Sequence, residues 1–241
     1  MRDDAPAGVL DDVFAWFIVV DDLLSTWRPD TEISRIAAGE LTLTMASPAV
    51  RSVLSLADKM HAFTGGAFDI YVGSDPRVTR WEGLGRIDPS GIVKGWALDH
   101  AAAMLRDAGV ANFAVNAGGD VVVGGHVAPG EPWPVGVQHP SERDKVACTV
   151  AVTDCGVATS GRYERGDHIL DPRTAAPATA LIAATVVHES LAVADAVATG
   201  LMAMGNDAPA WLEAHPDIAA LLIHDNAMTS VSAAFDAVAV R

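Results

Sequence analysis

Two oxygen-bearing side chains, Asp195 and Thr199, sit four residues apart in LAVADAVATGLMAMG, a segment otherwise built from Ala, Val, Leu, Met and Gly. On a helix that spacing places both on one face. A carboxylate in so apolar a stretch is costly to bury without a partner. A hard divalent cation such as magnesium, which takes oxygen ligands, would be a suitable one. The plainer alternative is an aspartate exposed on a narrow polar edge, with the threonine hydroxyl bonded back to its own helix.

A second stretch, DPSGIVKGWALDH from Asp88 to His100, opens a helix out of a small-residue turn and puts Lys94 near its start. Backbone N–H groups at a helix N-terminus, with a lysine beside them, suit a phosphate. The pattern is neither the Walker phosphate loop nor the dinucleotide glycine fingerprint, and an ordinary junction with a solvated lysine explains it equally. In GGAFDIYVG, Asp69 interrupts an apolar strand just after a glycine pair that lets a ligand approach the backbone. A strand start with Asp69 held by turn amides is the competing reading. TSGRYERGDHILDPRT, Thr159 to Thr174, sets a small-residue turn at Thr159-Ser160-Gly161 against a crowd of charge. His168, of a residue type that titrates near working pH, suits a general base, and Asp171 suits an orienting or metal-side carboxylate. A surface hairpin with a salt-bridge cluster accounts for the same residues. NAGGD, Asn116 to Asp120, is explained by a Gly-Gly turn between strands without any function.

The elements that must hold these residues follow from periodicity. Leu10, Val13, Phe14, Phe17, Val20 and Leu24 recur at helical spacing and predict a helix over roughly 9–25 with one apolar face. A short helical turn is expected from Glu32 to Ile36. Ser47-Pro48 reads as cap and first residue of a helix that runs through Val50, Val53, Leu54, Ala57 and Met60 to Gly65-Gly66. AFDIYV predicts a short strand, Ile92 to Ala108 a helix ended by Gly109, and NFAVNAGGDVVVGG two strands meeting at Gly118-Gly119. VACTVAVTD and ALIAATVV are β-branched runs that read as strands. Ser190 caps a helix to Met204, closed by Gly205; a short helix from Pro209 to Ala214, a strand IAALLI and a last strand near 228–239 complete the chain. No repeat or linker divides it. The fold class is α/β of the α+β type, a single domain, 1–241, of mixed or antiparallel sheets packed with helices.

Composition narrows the function classes. The 241 residues are enough for a full hydrophobic core. The formal charge of −15, from 31 acidic and 16 basic residues, with no Lys/Arg run longer than two, argues against nucleic-acid and anionic-membrane partners. Cys148 and Cys155 make no disulfide framework and no metal-site spacing, and read as reduced thiols in or near a strand. The acidic start MRDDAPAGVLDDVFAWFIVVDDLL is neither a signal peptide nor a membrane span, and a cytoplasmic location is expected for the chain as given.

STWRPDTEISRI, GGAFDI, DPSGIVKGWALDHAAAMLRDAG, NAGGDVVVGG, TSGRYER, HILDPRT and ADAVATGLMAMG occur here in one order and spacing. In that order they resemble the FAD:protein FMN transferases, the ApbE-like flavin transferases, from about Val9 to the end. The resemblance implies the fold of that family, FAD as substrate and magnesium as cofactor. It also implies transfer of the FMN half of FAD to a threonine or serine hydroxyl of a flavin-accepting target protein, with release of AMP. Hydrolysis of FAD to FMN and AMP, or flavin carriage without catalysis, are the alternative activities. Carried over by position, Asp195 and Thr199 are the implied magnesium side-chain ligands, with the Gly91 backbone oxygen as a third. Trp27 takes the place of an aromatic near the flavin. Ala67, Phe68 and Asp69 match an FAD-contacting triplet, and Asp88 and Lys94 match further FAD contacts. His168 and Ile169 match the segment beside the pyrophosphate, where His168, or else Asp195, would take the proton of the attacking hydroxyl.

The sequence departs from the family pattern at three places. It begins almost at the first helix, where the family has one or two strands and a methionine-containing FAD contact, so those strands are expected to be missing. The export signal common in the family is expected to be missing from the chain as given, and Ala175-Ala176 follows DPRT where a glycine is frequent.

Overall fold

A computed structural model of the chain describes residues 5–72, 86–142, 144–165, 169–174 and 176–240. The helices are α1 (Val9–Leu24), α2 (Glu32–Ala37), α3 (Pro48–Phe63), α4 (Ser90–Asp107), α5 (Arg162–Arg165), α6 (Leu191–Met204), α7 (Ala208–Ala214) and α8 (Ala233–Asp236). The strands are β1 (Tyr71–Val72), β2 (Arg86–Ile87), β3 (Phe113–Ala117), β4 (Asp120–Gly124), β5 (Trp133–Gln138), β6 (Val146–Val152), β7 (Gly156–Gly161), β8 (Leu170–Asp171), β9 (Ala176–Pro177), β10 (Leu181–His188), β11 (Ala219–His224), β12 (Thr229–Val231) and β13 (Ala239–Val240).

A six-stranded sheet, ordered β12-β11-β10-β7-β4-β3, divides the molecule, and every neighbouring pair in it is antiparallel. Because side chains alternate across a strand, each face builds its own core. One face sends Val122, Ala158, Ala184 and Val186 into a core shared with α1, α4, α6 and α7. The other sends Val121, Val123, Val157 and Val187 against Val135, Val137, Val150 and Val152 of the small sheet β13-β6-β5. A third cluster joins α1, α2 and α3 to the outer side of α4 through Ile33, Val50, Leu54, Ile92 and Trp96.

The helices start where the caps predict. Ser47 Oγ accepts the Val50 N–H at 3.3 Å ahead of Pro48, and Ser190 Oγ accepts the Val193 N–H at 3.3 Å. Asp99 reinforces the second start from α4. Its Oδ1 accepts the Leu191 N–H at 2.9 Å, and its Oδ2 accepts from Ser190 Oγ at 2.7 Å and from the Ala192 N–H at 3.1 Å. Two helices this close need a glycine between them. A Cβ at Gly95 would lie 2.5 Å from the Leu191 carbonyl oxygen and 2.7 Å from the Ala192 backbone. These contacts fix the relative position of α4 and α6, which carry most of the candidate site.

Several expectations are corrected. AFDIYV is strand only at Tyr71–Val72; Ala67 to Ile70 form the exit from α3. Thr159-Ser160-Gly161 is no turn but the end of β7, paired with Ala183 to Thr185 in mid-sheet. The last strand breaks into β12, α8 and β13, because Ser232 caps a helical turn by accepting the Phe235 N–H. The apolar face of α1 is Val9, Val13, Val20 and Leu24; Leu10 and Phe14 point to solvent, beside Ile18. No helix among the described residues is long and apolar enough to cross a membrane.

Candidate active site

Asp195 lies on the inward face of α6 and is 5% exposed. It is not the solvent-facing aspartate of the plainer reading. Burial, then the nearby negative charge of Asp120, pushes its carboxyl up to about 7, while Lys94 and a hydrogen bond from the Gly95 backbone act in the opposite direction. Its Oδ2 has no hydrogen-bond partner among the described residues. A buried carboxylate oxygen left without a donor is a position that calls for a cation or a proton.

One turn further along α6, Thr199 Oγ1 is 3.1 Å from Ser160 Oγ at the end of β7, so its hydroxyl is engaged across to the sheet. It also meets α4. A Cβ placed on Gly91 would lie 3.0 Å from Thr199 Oγ1 and 3.3 Å from the Phe68 ring. Gly91 thus leaves room for the hydroxyl against the first turn of α4. The oxygens gathered here are a carboxylate and two hydroxyls, of the hard kind that magnesium prefers, so the residues fit such an ion. Among the described residues no group of three or more His, Cys, Asp or Glu side chains is placed to hold a metal. A cation at Asp195 would therefore complete its shell with hydroxyl, carbonyl, substrate or water oxygens.

Phe68 and Asp69 are held by α3. The Phe68 N–H donates to Thr64 Oγ1 at 2.9 Å, and Thr64 Oγ1 donates to the Met60 carbonyl at 2.8 Å. His61 Nδ1 lies 3.1 Å from the Phe68 carbonyl and 3.2 Å from Asp69 Oδ2, so Nδ1 faces two acceptors and carries the proton. Asp69 Oδ1 accepts the Tyr71 N–H at 3.0 Å, as its turn-amide reading expects. Ala67 is buried in the core beneath α6. Asp88 Oδ1 accepts the Ser90 N–H at 3.2 Å at the entry to α4.

Lys94 is not simply solvated. Its Nζ is 2.7 Å from Asp120 Oδ2, and the Asp120 side chain is 2% exposed. Asp120 is the functional candidate that sequence reasoning passed over. The signal available was an aspartate opening a β-branched run, DVVVG, directly after a tight turn.

Other expected residues stand apart. Trp27 follows the C-terminal end of α1 and is 88% exposed. Ile169 is buried in the core that contains α6, and its carbonyl accepts the Ala178 N–H at 2.9 Å. His168 lies outside the described residues. Asp171 is taken up by Arg173, whose Nε and Nη2 donate to its two oxygens at 2.9 and 3.1 Å. Burial pushes the Asp171 carboxyl up, but the hydrogen bonds and charge of Arg173 outweigh it and hold it below the usual range. The salt-bridge reading of that residue is the structural one. Both cysteines are free, and burial, with the Asp154 charge, pushes the Cys155 thiol up to about 11.

Comparison with known proteins places this arrangement in a family. The model of the ApbE family matches residues 3–85 and 79–222. The FAD:protein FMN transferase of Vibrio cholerae is 29% identical over 247 residues, covering 78% of this chain and 71% of its own. The FAD:protein FMN transferase of Klebsiella pneumoniae is 30% identical over 239 residues, covering 77% and 68%. The solved structure of the flavin transferase ApbE from Vibrio cholerae superposes with a TM-score of 0.81 at 27% identity, covering 99% of this chain and 93% of that one. The Thermotoga maritima ApbE protein repeats the fold, with a TM-score of 0.87 at 23% identity over 100% of this chain and 94% of its own. With the family model matched along most of its length and the fold repeated in solved members, this chain belongs to the ApbE family.

Proposed function

We propose that this protein is a magnesium-dependent transferase that moves FMN from FAD to a threonine or serine hydroxyl of a target protein and releases AMP. Flavin transfer is the activity named for its relatives; the metal dependence and the residue roles are the reading offered for this chain. The observation that carries it is Asp195, buried on α6 with Oδ2 unpartnered among the described residues and Thr199 one turn away.

Asp195 and Thr199 would hold magnesium with the Gly91 carbonyl as a third protein oxygen. The bound ion would supply positive charge against the pyrophosphate, the main demand of phosphoryl-type chemistry. Lys94 supports the same demand from the first turns of α4. Phe68 and Asp69, fixed by Thr64 and His61, offer FAD a rigid wall with Ala67. Asp88, at the entry to α4, would add a further contact, and the exposed Trp27 would lie against the flavin ring.

In the transfer, the target hydroxyl oxygen bonds to the phosphorus of the FMN half. The bond from that phosphorus to the bridging oxygen breaks, and AMP leaves with the bridging oxygen. The hydroxyl proton passes to a base, assigned here to His168, a role that typically contributes ~10²–10⁴-fold.

Product analysis tests the reading. The purified protein is incubated with FAD and magnesium, with and without an acceptor peptide bearing a threonine or serine among small residues. AMP released only with the acceptor, together with flavin on the acceptor, is the expected result. AMP released without it makes the protein an FAD pyrophosphatase, and intact FAD that stays bound makes it a carrier.

A further inference from the structure

The NAGGD hairpin places a buried charge where the roles above do not use one. Asp120 opens β4 and is 1% exposed. Its Oδ1 accepts the Thr159 N–H at 3.1 Å, which fixes the carboxylate from β7. Its Oδ2 then faces Lys94 Nζ at 2.7 Å. Lys94 and Gly95 sit where α4 meets the start of α6, with Gly95 against Leu191 and Ala192, one turn before Asp195. Asp195 and Asp120 are both buried, so charge at these two carboxylates is weakly screened. The Lys94 side chain is 40% exposed. Its long stem comes from the surface while its head is drawn inward, an arrangement that a flexible lysine keeps only if something holds the ammonium.

We infer that Asp120 is a positioning residue of this site: it holds the Lys94 ammonium beside Asp195, and through that one lysine it couples binding of the dinucleotide phosphates to binding of the metal. The inference builds on the function proposed above. With Lys94 held there, a divalent cation entering alone is opposed by a positive charge already in place. A pyrophosphate arriving with it offsets both cations. Metal and FAD then bind better together than either does alone, and the coupling is reciprocal. Asp120 sets its size by fixing where the ammonium sits.

The test is a double-mutant cycle read by calorimetry. FAD is titrated at fixed magnesium into the wild-type protein, Asp120→Asn, Lys94→Met and the double variant. Asp120→Asn keeps an oxygen for the Thr159 N–H and removes only the charge. Each single change is expected to weaken FAD binding by on the order of tenfold, the size of one charge-assisted contact, and the double variant should be no weaker than Lys94→Met alone. Magnesium is then titrated with and without FAD. Lys94→Met should bind magnesium alone several-fold more tightly than wild type and show a smaller gain from FAD. This second arm does not need Asp120→Asn and stands if that variant fails to fold. An equal loss from Asp120→Asn in both backgrounds would overturn the inference, as would wild-type magnesium binding by Lys94→Met with and without FAD. A wild-type protein that binds both ligands while Asp120→Asn matches it would sink the inference alone. A wild-type protein that binds neither would sink the proposed function with it.

Discussion

The two faces of the six-stranded sheet use the same strands for opposite purposes. On β4, Asp120 and Val122 turn toward α4 and α6, while Val121 and Val123 turn toward the small sheet. On β7, Ser160 reaches Thr199 on α6, while Thr159 bonds Thr185 Oγ1 at 2.9 Å on the far side. The helix face thus gathers Asp195, Asp120, Lys94 and Thr199. The far face is mostly valine, around a cavity of about 420 Å³ lined in part by Trp133, Tyr163, Asn116 and Thr159, and it includes none of the expected site residues. Alternation along a strand lets one element carry both chemistry and core. Buried charge on the helix face costs stability, whereas the far face is packed mainly from valine.

That contrast is sharpest at Asp195. Asp195→Ala should lower magnesium-dependent turnover by on the order of 10³-fold while the protein stays folded, as measured by AMP release and circular dichroism. Its pKa adds a sign. Its folded value, about 7, lies above the ordinary carboxylate range, so in metal-free protein its stabilising contribution is full below that range and lost as pH rises through about 7. Asp195→Asn should therefore gain in Tm over wild type more at pH 8 than at pH 4. A gain that shrinks with rising pH would contradict the buried, unpaired carboxylate.

Gly95→Ala should disturb both stability and turnover, because its Cβ would meet the backbone of α6 and push the two site-bearing helices apart. A loss of ~1–3 kcal/mol in denaturant unfolding is expected. Val123→Ala, on the far face, should cost about 2 kcal/mol yet leave FAD affinity unchanged. A matching loss of FAD affinity would erase the division between the faces. Asp99→Ala removes the carboxylate cap of α6 and should cost ~1–2 kcal/mol. Smallest of all, Cys155 should stay unmodified by iodoacetamide at pH 8 in the folded protein, because its thiol is buried and pushed up to about 11. Mass spectrometry reads that directly.

The helices were legible because caps and periodicity are local. Ser47-Pro48 and Ser190 marked starts that the structure keeps, and Gly205 marked an end. β7 was hidden because GVATSG is made of small residues that gain strand character only from pairing with β10 and β4. β5 was hidden by the prolines of EPWPVGVQHP at a sheet edge, the one place a strand accepts them. In the site, Asp195 and Thr199 stood out because they share one helix and contrast with its apolar residues. Asp120 did not, because its meaning comes from Lys94 on another element and from the burial of both faces of β4. Long-range pairing of that kind leaves no period in a sequence.

The most direct test of the central claim is calorimetric titration of FAD, with and without magnesium, into the wild-type protein and Asp195→Ala. Magnesium should strengthen FAD binding to the wild type, and Asp195→Ala should lose that strengthening. Magnesium strengthening FAD binding equally in both proteins would place the metal away from Asp195.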